Sequence, residues 1–183
     1  MRNTDFINGL QFTLEKQISI LKTELLPLTA ELLSRPRSDG GWSIAQCIQH
    51  LNTYADHYIP LIEKKLNDQP QSVQQEVVQG WLGSYFIKMM DPENTSKYKA
   101  AKKHRPGRAS DGHREILKLT GHLQELDKLL KGHPGADCNK IRISTSIIGF
   151  VKLRLGDTLE FILMHNHRHL NQALNNLKEE SNG

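Results

Sequence analysis

The sequence contains little cysteine and no long apolar run. Its two cysteines, Cys47 and Cys138, lie far apart and outside any Cys-x-x-Cys spacing. We therefore expect two reduced thiols, and Cys47, which lies among apolar residues, is expected to be a small core residue rather than a nucleophile. No apolar run reaches the roughly 18 residues that a membrane-spanning helix requires, so no membrane partner is expected.

Other signals are missing as well. The first residues lack the basic-then-apolar layout of a secretory signal, which predicts a cytoplasmic protein. The sequence shows neither a Ser-His-Asp signature nor paired carboxylates, so it indicates no nucleophile of those classes and leaves the catalytic residues unknown. There is no internal repeat or low-complexity tract, and a length of 183 residues predicts one domain spanning 1–183.

The chain has a modest excess of positive charge that is concentrated in one stretch. Lys and Arg number 24 against 20 Asp and Glu, which gives a net charge of +4. Six basic residues fall between positions 97 and 108, namely Lys97, Lys99, Lys102, Lys103, Arg105 and Arg108. This stretch is either a solvated loop or an anion-attracting rim beside a site. Tyr98 and His104 are the only aromatic residues interleaved with the basic ones, so no nucleic-acid partner is expected.

Helical periodicity is clear in the first third of the chain. Apolar residues recur at intervals of three and four over 4–34, and Pro27 should interrupt that helix. Ser43 and Gln46 form a Ser-x-x-Gln capping box, which predicts the start of a second helix that ends near Asn67.

In the remaining two-thirds of the chain, the pattern predicts an irregular stretch followed by two further long helices. A short helix fits residues 80–90 within a long connection. A third helix is expected to begin with Ser110 as its N-cap, and Gly132 closes it. The run 142–151 has no secure assignment. Asp157 opens a fourth helix and forms a second capping-box-like pair with Glu160.

Four long amphipathic helices, with a long crossover connection between the second and the third, predict an all-α four-helix bundle. A bundle of this kind can present an exposed helix face to a second copy, so a homodimer is also considered.

The clearest indication of a functional site comes from the histidines, of which the chain has nine. His165 and His169 are four residues apart and therefore share one helix face, whereas His167 is turned by about 200° and should face away. A third metal ligand would come from the second helix, from His50 or from His57. These two lie about 10.5 Å apart along a helix axis, so only one can join the same ion, and the spacing alone leaves the choice open. A hydrogen-bonded histidine cluster without metal is the alternative.

Several segments resemble DinB-like proteins. Residues 41–51 (GWSIAQCIQHL) look like the opening of the second helix of that family, and residues 155–161 (LGDTLEF) with 165–173 (HNHRHLNQA) look like its last helix. The lysine-rich stretch 92–106 is similar to its connecting segment. The resemblance extends over roughly residues 5–178.

This resemblance implies a four-helix bundle that holds a metal with His50, His165 and His169. Several members of the family transfer bacillithiol, mycothiol or glutathione, or use such a thiol in an isomerase reaction, and many others have no established activity. The resemblance therefore implies a divalent transition metal, with zinc, nickel or iron as candidates, and a low-molecular-weight thiol as cofactor.

Three hypotheses about function follow. In the first, three neutral imidazoles leave open coordination positions at which a small thiol becomes a thiolate and attacks an electrophilic substrate. In the second, a metal-bound water is the nucleophile of a hydrolase. In the third, the protein is a non-catalytic metal-binding stress protein. Near the predicted ligands, Arg168 is expected to have a structural role, and Gln172 either orients a ligand or completes a polar cluster.

Overall fold

The computed structural model describes residues 1–68, 76–91, 94, 96, 98–107 and 111–180, with side chains as far as residue 177. Three predicted positions lie outside the described residues: Lys97 and Arg108 of the basic stretch, and the expected N-cap Ser110.

Helices make up most of the fold. Their bounds are Asn3–Ile20 (α1), Ala30–Ser34 (α2), Ile44–Asn67 (α3), Trp81–Met90 (α4), Gly112–Gly132 (α5) and Leu155–Glu180 (α6). A π-helical turn, Leu21–Leu25, continues α1, and a 3₁₀ turn covers Lys102–His104. Two short strands, Arg142–Ser144 (β1) and Lys152–Arg154 (β2), precede α6.

The four long helices form a bundle. Both α1 and α3 pack against α5 and against α6. Each long helix contributes an apolar stripe at helical spacing, and these stripes meet in one core. Fully buried leucine and isoleucine side chains fill it, among them Leu14, Leu21, Ile48, Leu51, Ile62, Ile116, Leu119 and Leu123. Among the described residues, no helix is both long enough and apolar enough to cross a lipid bilayer.

The prediction of an all-α protein needs one correction. Strands β1 and β2 form an antiparallel pair within and just after the run that had no secure assignment. Ile143 pairs with Leu153, and both side chains are buried while their neighbours along each strand are more exposed. Three residues with one buried position give too short an alternation to be recognised as a strand in the sequence.

The interruption at Pro27 is confirmed. Proline has no backbone N–H to donate, and the helical backbone ends just before it, after the π-helical turn Leu21–Leu25. Thr29 then caps α2, because its side chain accepts a hydrogen bond from the N–H of Leu32 at 3.3 Å.

The capping box at the start of α3 is confirmed as well. Ser43 Oγ accepts from the Gln46 N–H at 3.2 Å, and Gln46 Oε1 accepts from the Ser43 N–H at 3.0 Å. This cap determines where α3 begins and therefore which way His50 points two turns later. The helix continues through Pro60 and ends at Asn67, as expected.

The connection from α3 to α5 contains α4, which packs against α6. Gly80 is the N-cap of α4, and its N–H donates to both carboxylate oxygens of Asp157 at 3.1 and 3.2 Å. A Cβ at position 83 would overlap that carboxylate, which accounts for Gly83. Parts of the connection lie outside the described residues, so its whole path as a crossover stays a prediction.

Two expected helix caps are wrong. Asp157 and Glu160 do not form a capping box, because α6 already begins at Leu155 and both side chains bind the segment before α4; Glu160 Oε2 accepts from Gln79 Nε2 at 2.6 Å. The N-cap of α5 is Asp111, whose carboxylate accepts from the Arg114 N–H at 3.1 Å, one residue after the predicted Ser110.

Candidate metal centre

Helices α3 and α6 bring three histidines together in the bundle. His50 comes from α3, and His165 and His169 lie one turn apart on α6. The Nε2 atoms of His50 and His165 are 3.1 Å apart, and one ring nitrogen from each of the three residues lies within 4.8 Å of the others. The ring nitrogens are therefore close enough together to bind a single ion.

His57 does not join this group. Its Nε2 lies 3.2 Å from the backbone carbonyl oxygen of Ser144 in β1, so the ring serves to attach the strand to α3. Of the two candidates that the sequence left open on this helix, the structure therefore places His50 beside His165 and His169.

Burial keeps the three imidazoles neutral. His50 and His165 are buried, and His169 is half-buried. Burial lowers the pKa of His50, lowers that of His165 well below its usual value, and lowers that of His169 to about 3. A neutral imidazole is the form that binds a metal ion, so the environment already provides the required protonation state.

Neighbouring oxygen atoms orient two of the rings. His50 Nδ1 lies 2.6 Å from the backbone carbonyl oxygen of His104, and His169 Nδ1 lies 2.9 Å from Gln172 Oε1. Carbonyl oxygens only accept, so each Nδ1 carries the proton and each Nε2 presents a lone pair. The Nε2 lone pair of His50 therefore faces His165 Nε2, 3.1 Å away. Gln172 contacts a ring nitrogen of His169, and this contact is compatible with both of its predicted roles.

Aromatic rings enclose the cluster. Trp42 stacks on His169 with ring centroids 5.7 Å apart, and Phe161 stacks on His165 with an interplanar angle of 9°. Tyr54 meets the His165 ring edge-on at 4.4 Å between centroids. These contacts restrict rotation of the imidazoles and reduce the access of water.

His104 is a further part of the site that the sequence analysis did not identify. Its ring is buried, stacks on Tyr54 with centroids 3.9 Å apart, and lies within hydrogen-bond distance of Thr53 Oγ1 and Ser146 Oγ. Burial, with the nearby charge of Lys103 as a second cause, lowers its pKa to about 4. In the sequence it is one histidine within a basic loop, where no helical periodicity indicates burial.

One turn of the basic stretch, Lys102–His104, lies beside the cluster. Lys102 and Lys103 are exposed, and they belong to the 3₁₀ turn whose last residue, His104, contacts His50. The sequence left open whether this stretch is a solvated loop or a rim beside a site. In the described part of this stretch, the lysine side chains are exposed and His104 contacts the site.

The other residues near the ligands on α6 have structural contacts. His167 is exposed, as predicted. Arg168 donates to the backbone carbonyls of Asp91, Asn94 and Ser96 at 3.1, 2.8 and 2.8 Å, and so holds the segment after α4 against α6. The structural role expected for Arg168 agrees with these contacts.

Neither cysteine is placed to act as a nucleophile. Cys47 and Cys138 are both buried, and burial raises the pKa of each thiol to about 12. The expectation that Cys47 is a core residue is confirmed.

The donor set fits a transition metal. In the part of the chain that the structure describes, the group consists of three imidazoles without a carboxylate or a thiol. Imidazole nitrogens suit divalent zinc, nickel and iron, and three protein ligands leave positions for an exogenous molecule.

Comparison with known proteins agrees with this fold. Residues 13–173 match the family described as the DinB superfamily. The fold is similar to that of YfiT from Bacillus subtilis, described as a probable metal-dependent hydrolase with an unusual four-helix bundle topology. The two chains are 15% identical, with a TM-score of 0.62, and the match covers 96% of this chain and 87% of the other. No protein of curated function matches the chain.

Proposed function

Since the chain belongs to the DinB superfamily, we propose that His50, His165 and His169 hold one divalent transition-metal ion. The protein would use it to transfer a low-molecular-weight thiol to an electrophilic small molecule. One observation carries the metal site in this proposal: the ring nitrogens of the three residues converge within 4.8 Å, with two of the Nδ1 atoms already bound to oxygen acceptors. Zinc, nickel and iron are the candidate metals.

A metal held by these three imidazoles would bind a thiol and lower its pKa, which would favour the thiolate at neutral pH. The residues of the chain have other roles. In this proposal the three histidines bind the ion, Gln172 orients His169, and His104 orients His50. The aromatic rings around the cluster exclude water; they belong to Trp42, Tyr54 and Phe161.

The chain does not supply a nucleophile in this proposal. Both cysteines are buried with raised pKa values, and in the described residues no carboxylate joins the cluster. An exogenous thiol fills this gap. Its sulfur forms a bond to carbon while the carbon–halogen bond of an activated halide, or a carbon–oxygen bond of an epoxide, breaks. With a halide substrate, the halide ion and the thiol proton go to solvent. With an epoxide, the oxygen stays in the product and takes up the proton.

Charge near the site favours an anionic thiol. The exposed Lys102 and Lys103 belong to the turn that contacts His50 through His104. Positive side chains at the rim of a site raise the local concentration of anions such as a thiol that carries carboxylates.

Thiol consumption tests the proposal. Metal-loaded protein is incubated with glutathione, bacillithiol or mycothiol and with an epoxide or an activated aryl halide, and the free thiol is titrated. We expect loss of thiol and formation of the thioether, detected by mass spectrometry, with neither in His165→Ala. If no thiol in the panel is consumed faster than in the protein-free control, the transferase proposal is wrong.

Hydrolysis is the second candidate, and the similarity to a probable metal-dependent hydrolase favours it. Ester or amide cleavage without added thiol, lost on chelation and lost in His165→Ala, would replace the first proposal by this one. A metal-loaded protein with neither activity would be a non-catalytic binding protein. The cytoplasmic location, the homodimer and the absence of a nucleic-acid partner stay predictions.

A further inference from the structure

The segment 102–107 lies along α3 and is held there at two places. At one end, the Gly107 N–H donates to Gln49 Oε1 at 2.7 Å, and Gln46 Nε2 donates to the Gly107 carbonyl at 3.0 Å. At the other end, His104 contacts Thr53 and His50. Only the second attachment reaches a residue of the candidate metal centre.

Contacts at this second attachment have one consistent arrangement of protons. The Thr53 hydroxyl donates to the backbone carbonyl of His50 at 2.7 Å. A hydroxyl has a single proton, so Thr53 Oγ1 accepts from His104 Nδ1–H at 2.8 Å. The neutral ring then accepts from the Ser146 hydroxyl at His104 Nε2, over 2.9 Å. Finally, the His104 carbonyl accepts from His50 Nδ1–H at 2.6 Å.

Any residue at position 104 would have a backbone carbonyl, but the histidine ring determines where that carbonyl lies. His104 is 3% exposed, and its ring stacks on Tyr54 and is bound at both nitrogens. The other two residues of the turn, Lys102 and Lys103, are exposed and do not bury a side chain against α3. The position of the turn relative to His50 therefore depends on the ring.

We propose that His104 is a positioning residue for the metal centre: its ring attaches the turn to Thr53 and Ser146, and its own carbonyl holds His50 in the tautomer that presents Nε2. The consequence for metal affinity rests on the proposed function. The consequence for the tautomer of His50 is a property of the metal-free protein and is independent of it.

Two measurements on His104→Ala test this role. Nitrogen-15 NMR of the metal-free protein reports the tautomer of His50, and competition with a chromophoric chelator reports zinc affinity. In the wild type we expect the proton on His50 Nδ1. In the variant we expect a mixture of tautomers and a zinc affinity lower by about 10–100-fold, as for other groups that orient metal ligands.

Gln49→Ala is the matched control, because it removes a contact of the same segment at the attachment that does not touch His50. We expect its zinc affinity and the tautomer of His50 to stay close to the wild type. Thermal unfolding of each metal-free variant is measured in parallel, so that a general loss of stability is recognised.

Two conservative variants extend the test, and Thr53→Val keeps it decisive if His104→Ala does not fold. Thr53→Val has nearly the same shape but cannot accept from His104 Nδ1–H, and it should reproduce the loss of affinity. In His104→Asn, the side-chain amide can take the place of Nδ1–H as a donor to Thr53, and it should restore part of the affinity relative to His104→Ala.

The outcomes separate cleanly. Equal losses of affinity in His104→Ala and Gln49→Ala, or an unchanged His50 tautomer in both His104→Ala and Thr53→Val, would overturn the positioning role. If the wild type binds none of zinc, nickel and iron, the proposed function fails. The tautomer measurement then decides the role of His104 by itself: a changed tautomer supports it and an unchanged one refutes it.

Discussion

Two neighbouring residues of α6, Asn166 and His165, enter two buried polar clusters of different character. Asn166 Nδ2 donates to Gln17 Oε1 at 3.1 Å, and Gln17 Nε2 donates to the Leu163 carbonyl at 2.9 Å. Each of these contacts joins a donor to an acceptor and links α1 to α6. A cluster paired in this way serves the structure, because its polar groups are satisfied without any further partner.

Around His165, by contrast, nitrogen atoms face nitrogen atoms. His50 and His169 use their Nδ1 protons on other groups, so the remaining ring nitrogen of each can only accept. His165 can donate its one available proton to only one of them. Such a surplus of acceptors is what a bound cation would satisfy. The difference shows how to tell a functional polar cluster from a structural one: by counting donors against acceptors, not by burial.

The largest effect is expected from acidification of the metal-free protein, which should lower the free energy of unfolding through the histidine cluster. Burial lowers the pKa of His50, His165 and His169 in the folded state, whereas histidine in an unfolded chain has a pKa of about 6.5. Below that pH the unfolded chain binds more protons than the folded protein, so the free energy of unfolding falls as the pH drops. Each group contributes a slope of up to about 1.4 kcal/mol per pH unit.

Urea denaturation of chelator-treated wild type and His165→Ala, between about pH 7 and pH 5, measures this slope. We expect a shallower slope in the variant. Asp157 and Glu160 act in the opposite sense, because burial raises the pKa of both, and both are retained in the two proteins. Equal slopes would mean that His165 is not held neutral in the fold.

Asn166→Ala tests the structural cluster. The change leaves Gln17 Oε1 without its donor, and we expect a loss of about 1–3 kcal/mol in the free energy of unfolding, with metal content unchanged. Asn171→Ala is the control on the same helix, because Asn171 contacts the exposed His167, and its effect should stay within about 0.5 kcal/mol. Loss of metal in Asn166→Ala without loss of stability would break the distinction between the two clusters.

Gln172→Leu gives the smallest expected effect. It removes the acceptor of His169 Nδ1–H while keeping an apolar side chain of similar size. We expect zinc affinity to fall by about tenfold, measured by chelator competition, with little change in the stability of the metal-free protein. An affinity equal to that of the wild type would show that Gln172 only completes a polar cluster.

Much of the fold was predictable because it depends on local patterns. The Ser43 capping box, the interruption at Pro27 and the helical stripe with His165 and His169 on one face are all encoded within a few residues. Asp157 and Glu160 show the limit of such patterns. An acidic pair at a helix start looks the same whether its hydrogen-bond donors come from its own helix or, as here, from Gly80 and Gln79.

The candidate site was predictable only in part for a similar reason. Spacing identified His165 and His169, but the choice of His50 over His57 depends on how α3 and α6 pack, and the spacing along α3 alone left it open. His104 has no such pattern at all. It lies in a loop, and its burial comes from contacts with Thr53 and Ser146 that are distant in the sequence.

Metal analysis of wild type and His165→Ala, both purified without an affinity tag, tests the central claim most directly. The account predicts about one equivalent of zinc, nickel or iron in the wild type and none in the variant. No metal in the wild type, even after all three ions are offered, would contradict it and leave the three residues as a buried histidine cluster.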